Sequence, residues 1–126
     1  VVSEMANKKL GIGLDILLNA TQGQTTETSE RILTQGKLLF EQAWQQDEKG
    51  NSFEAYHLYR QVIDLWENTN DIEIAELVSR SCNNIAVILE AYAQTNAAIS
   101  FLQRALDIYP QNSIARDNMM LINNDD

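Results

Sequence analysis

The sequence predicts an all-α protein built from helical hairpins, and three observations lead there. Apolar residues recur at three- and four-residue intervals through most of the 126 residues. Five glycines and one proline leave too little turn material for a β fold. A set of small residues and turn positions in residues 43–62 also repeats at a fixed offset in residues 86–105.

The elements follow in order. Residues 5–20 carry Met5, Leu10, Leu14, Ile16, Leu17 and Leu18 on a broad apolar stripe, with Gly11 and Gly13 lowering helicity. The polar stretch 21–29 reads as a connection, with Thr26 or Ser29 available to cap the next helix. That second helix is expected over 27–47. Ile32, Leu39, Ala43 and Trp44 form its apolar face, with Leu38 and Phe40 beside it, and Gly36 marks a close contact. Lys49-Gly50-Asn51-Ser52 stops it, because glycine accepts the left-handed conformation that ends helices, and Ser52 is available to cap the next one.

The third helix, over 53–68, places Ala55, Leu58, Tyr59, Val62, Ile63 and Trp66 at helical spacing. The fourth, over 71–92, turns Ile74, Leu77, Val78, Cys82, Ile85, Ala86 and Leu89 inward. The polar turn 94–96 precedes the fifth, with Asn96 as its cap; its apolar side holds Ala98, Phe101, Leu102, Ala105, Leu106 and Ile108. Pro110 ends it, since proline has no amide to donate and biases Tyr109 away from helical geometry. A sixth helix over 113–122 restarts at Asn112 or Ser113 and buries Ala115, Met119 and Ile122.

Shifting the chain by 43 residues superimposes Gly50, Ala55, Tyr59 and Val62 on Ala93, Ala98, Leu102 and Ala105, and Ala43 on Ala86. Ala86, Ala98, Ala105 and Pro110, with Leu89 and Leu102, resemble a whole tetratricopeptide repeat over residues 79–112. A weaker copy covers 36–69. The resemblance implies one domain over 1–126, a right-handed superhelical array of antiparallel helix hairpins, with helices 5–20 and 113–122 flanking the two repeats. Cys82, Ala86 and Ala93 depart mildly from the family pattern, which favours a large apolar residue at the first position and glycine at the other two. The extra residues 70–78 are expected to lengthen the first helix of the second repeat. The last helix reads either as an end cap or as the first helix of another unit. A non-repeat helical bundle is the alternative architecture.

Charge narrows the function. Residues 1–52 hold seven acids and five bases, net −2; residues 53–126 hold eleven acids and four bases, net −7. Such a field repels phosphate backbones and anionic lipid, so nucleic acid is not an expected partner. Apolar runs are too short for direct membrane insertion. With no clear secretory leader and a single cysteine, a cytoplasmic protein is expected, and the sequon at Asn19 is read as unused.

No catalytic, cofactor or metal set emerges. His57 and Cys82 each lack a partner, and the carboxylates at 27 and 30 or 73 and 76 come without the histidines of a di-metal site. The expectation is a non-enzyme without a cofactor. The resemblance implies a protein- or peptide-binding scaffold that uses a concave face. Arg80, Asn83, Asn84, Val87 and Glu90 are the candidate groove residues, and a basic or mixed-charge ligand is favoured by the acidic chain. Some family members clamp a ligand's C-terminal carboxylate. Here Asn84 matches, but Phe40, Trp44, Ile114 and Asn118 replace the other clamp residues, which argues against that chemistry. Self-association into a homodimer through the terminal helices is the alternative function.

Overall fold

The computed structural model describes residues 22–68 and 71–124. Within them lie five α-helices and no strand: α1 (Gln22–Glu48), α2 (Ser52–Asp64), α3 (Ile72–Ala91), α4 (Thr95–Ile108) and α5 (Ser113–Asn123). A short 3-10 helix, Leu65–Asn68, extends α2. The fold is all-α, as the periodicity predicts. Packing divides the chain into two units, residues 1–32 and 33–126. In the first, residues 22–32 are helical; the helix expected at 5–20 lies outside the described residues.

Most element boundaries fall within a few residues of expectation, with three differences. Within the expected connection 21–29, residues 22–29 are helical, since α1 already begins at Gln22. Polar composition does not by itself break a helix, and only Gly23 in that stretch is a strong helix breaker. The third helix tightens into 3-10 geometry over its last turn rather than continuing as α. Caps also differ. Asn51 and Gln94 occupy the positions before α2 and α4 without side-chain caps, so neither Ser52 nor Asn96 performs that role. Asn51 instead donates through Nδ2 to Gln46 Oε1 at 2.8 Å. The caps that do form are Asp71, accepting from the Glu73 amide at 2.8 Å, and Asn112, accepting from the Ala115 amide at 3.0 Å.

The second unit is organised around α3, which is 20 residues long and packs against α2, α4, α5 and the 3-10 turn. Most of the inserted stretch is helical, because α3 starts at Ile72. Its core-facing side supplies Ile74, Val78, Cys82, Ile85 and Ala86, all buried. The small residues sit where helices approach closely: Ala43, Ala55, Ala98, Ala105 and Ala115 are fully enclosed. At Gly36, a Cβ would stand 3.0 Å from Leu77 Cδ2 and 3.3 Å from Leu65 Cδ1, so the glycine permits that contact.

The 43-residue offset reappears in backbone geometry. After α1, the Asn51 amide donates to Gln46 O (2.9 Å) and Gly50 to Asp47 O (3.0 Å); after α3, Gln94 donates to Leu89 O and Ala93 to Glu90 O, both at 2.9 Å. The two turns make the same pair of bonds at the same offset, each closing the helix with a Schellman pattern. Gly50 and Ala93 both adopt positive φ, 85° and 61°. At the other end of α4, Tyr109 has left helical geometry before Pro110, with φ −141° and ψ 88°.

Candidate functional site

Buried and half-buried polar groups within the second unit are joined into two side-chain networks. The longer one crosses four helices. Asn118 of α5 donates through Nδ2 to Asn83 Oδ1 (2.8 Å), and Asn83 Nδ2 donates to Asn84 Oδ1 (3.2 Å). Asn84 Nδ2 donates to Tyr59 Oη (3.1 Å), and Tyr59 Oη donates to Asp47 Oδ2 (3.2 Å). Burial pushes the Tyr59 hydroxyl far above its ordinary range, the Asn84 hydrogen bond works against that shift, and Asp47 adds to it. Tyr59 therefore stays protonated and able to donate. In the shorter network, Ser79 Oγ donates to Ala105 O (2.7 Å) and accepts from Asn112 Nδ2 (2.8 Å).

The first network borders a groove of about 590 Å³. One wall comes from α1, with Phe40, Glu41 and Trp44; α3 contributes Glu76, Arg80, Asn83 and Asn84; the turn after α4 and the start of α5 add residues 109–114 except Pro110. Trp44 is 46% exposed and faces this space, rather than acting as a core residue. Phe40 is anchored by the Tyr59 ring, their centroids 5.6 Å apart. Arg80 pairs with Glu76 at 2.8 Å, one helical turn away. That pair is exposed, and such pairs contribute only about 0–1 kcal/mol, so the guanidinium is free to exchange partners.

A second cavity, of about 350 Å³, lies between α3, α4 and α5 and is lined by Ala86, Val87, Glu90, Leu102, Asn118, Leu121 and Ile122. The five candidate groove residues therefore divide. Arg80, Asn83 and Asn84 line the larger groove, while Val87 and Glu90 line the smaller cavity. Asn83 is only 7% exposed, and its amide group is held by Asn84 and Asn118. It braces the wall more than it presents a free group. Sequence periodicity missed Tyr109, Gln111, Asn112 and Leu121 as lining residues. They reach these spaces through interhelical geometry, which a one-dimensional pattern does not encode.

Chemistry elsewhere is sparse. His57 stacks edge-on against Phe53, centroids 4.6 Å apart, on the exposed side of α2. Cys82 is buried, and burial pushes its thiol up to about 11 while Arg104 and Arg60 draw it down. Among the described residues, no three His, Cys, Asp or Glu side chains are grouped to hold a metal ion, and no helix is long and apolar enough to cross a membrane. Comparison of the chain with protein-family models, curated proteins and solved structures gave no match.

Proposed function

We propose that the chain is a non-catalytic, tetratricopeptide-like array of right-handed helical hairpins whose groove binds an extended segment of another protein. The observation that carries this reading is the larger groove. It combines an exposed indole, the Phe40 ring and exposed Ile114 with a wall of amide side chains. Apolar rings supply contact area for ligand side chains, and the exposed amide of Gln111 suits a peptide backbone. Of the charged side chains on its walls, Glu41 and Glu76 outnumber Arg80, which favours basic or mixed-charge ligands. The matching turns after α1 and α3 support the hairpin repeat.

Random-peptide display on the intact chain tests the reading, followed by affinity measurements on two variants. Trp44→Ala is expected to weaken selected peptides by roughly tenfold or more, as loss of a central aromatic anchor does. Phe53→Ala, exposed on α2 outside the groove, should leave affinity unchanged. The opposite pattern would sink the groove assignment. A second reading, a homodimer through the terminal helix, is favoured by the exposed Met120 and Leu121 of α5. It requires concentration-dependent mass in sedimentation equilibrium that Met120→Glu abolishes.

A further inference from the structure

The last turn of α3 combines three features that favour a cation. Glu90 lies one residue before the end of the helix, where the macrodipole is already negative, and no basic residue occupies that turn. Its Oε1 is buried and has no hydrogen-bond partner among the described residues. The same side chain lines the 350 Å³ cavity, whose other walls are mostly apolar. Ala86 and Leu102 form its enclosed floor, while Val87 (53% exposed) and Leu121 (68%) stand at its mouth. A carboxylate with a buried oxygen and no donor is a costly arrangement, which a cation held beside the group offsets.

We propose that this cavity is a subsite for one basic side chain, lysine or arginine, of the protein segment bound in the neighbouring groove. The aliphatic stem lies along Val87, Leu102, Leu121 and Ile122, and the cationic head pairs with the carboxylate of Glu90, whose side chain lines the cavity. Long basic side chains have this division, an apolar stem with a charged tip. The occupant is chosen by charge complementarity: an unpaired carboxylate at a helix C-terminus, in a chain of net charge −9, rejects an acidic side chain and leaves a neutral one without an ionic partner. The inference rests on the proposed peptide-binding role. It adds which cavity selects charge, and it connects that cavity to the groove through the Asn83–Asn118 bond.

The test uses n-pentylammonium, with n-pentanol and pentanoate as matched probes, titrated into the isotope-labelled full chain and followed by amide shifts. Pentylammonium is expected to move amides 86–90 and 118–122 and to bind more tightly than pentanol, with pentanoate weakest. Glu90→Gln, which keeps the shape, should weaken pentylammonium by roughly tenfold, as loss of a charge-assisted bond does, and leave pentanol unchanged. Leu121→Ala should weaken both by removing apolar wall. Equal binding of ammonium and alcohol, shifts confined to other helices, or no effect of Glu90→Gln overturns the subsite. Self-association that buries Leu121 and excludes pentylammonium also overturns it. Failed peptide display with a positive ammonium titration defeats the proposed function and leaves a cation subsite. Peptides that bind Glu90→Gln and wild type alike defeat the subsite and leave the function.

Discussion

Cys82 shows how one buried side chain makes stability depend on pH. Its thiol is raised from 9.0 to about 11, chiefly because the thiolate would be desolvated. A folded value above the unfolded one means that the native state holds the proton more tightly. The stabilisation is complete below about pH 9 and is lost as pH rises towards 11. Wild type and Cys82→Ala compared by urea denaturation should show a stability difference that falls by about 2–3 kcal/mol across that window. Tyr59 titrates in both proteins and largely cancels from the difference. A pH-independent difference would contradict the burial argument. Periodicity already placed Cys82 inward; the nearby arginines came only from the packed helices.

At the scale of elements, the turns after α1 and α3 carry the repeat. Both positions of positive φ lie at the same offset, yet one is glycine and the other alanine. An alanine there has its Cβ close to the backbone carbonyl, whereas glycine has none. Ala93→Gly is therefore expected to stabilise the protein by about 0.5–1 kcal/mol, the relieved strain exceeding the added flexibility of the unfolded chain. Gly50→Ala should destabilise by about 1 kcal/mol, because nothing crowds a Cβ there and backbone strain is the sole cost. Chemical denaturation checks both signs. Opposite signs at equivalent turns would demonstrate that both turns obey one geometric requirement. The turn after α1 was legible through Gly50; the equivalence at Ala93 was visible only through the offset, since alanine is no turn signal.

At the scale of the whole second unit, the chain from Asn118 to Asp47 ties α5, α3, α2 and α1 together through side chains. Tyr59→Phe removes the donor to Asp47 and the acceptor for Asn84 while keeping the ring against Phe40. The expected loss is about 1–3 kcal/mol, the cost of leaving half-buried polar partners unsatisfied. A double-mutant cycle with Asn118→Ala should give a non-zero coupling energy although the two residues do not touch each other. Strict additivity would mean that the amides act as separate pairs.

The sequence by itself determined the all-α class, the long α3, the stop at Pro110 and the small residues Ala55, Ala98 and Ala105. Each is a local matter: periodicity chooses the buried face, proline ends a hydrogen-bond ladder, and a small side chain permits close approach. Arg80, Asn83, Asn84, Val87 and Glu90 were chosen because they lie off the packing stripe of α3, which a helical projection supplies. Only the tertiary structure decided that the first three line one groove and the last two another cavity. It also decided that Trp44 faces open space, that Asn83 is bound on both sides, and that Glu90 keeps a buried oxygen without a partner among the described residues. Those outcomes depend on which helix packs beside which and at what distance, and interhelical distance is not a function of spacing along one helix.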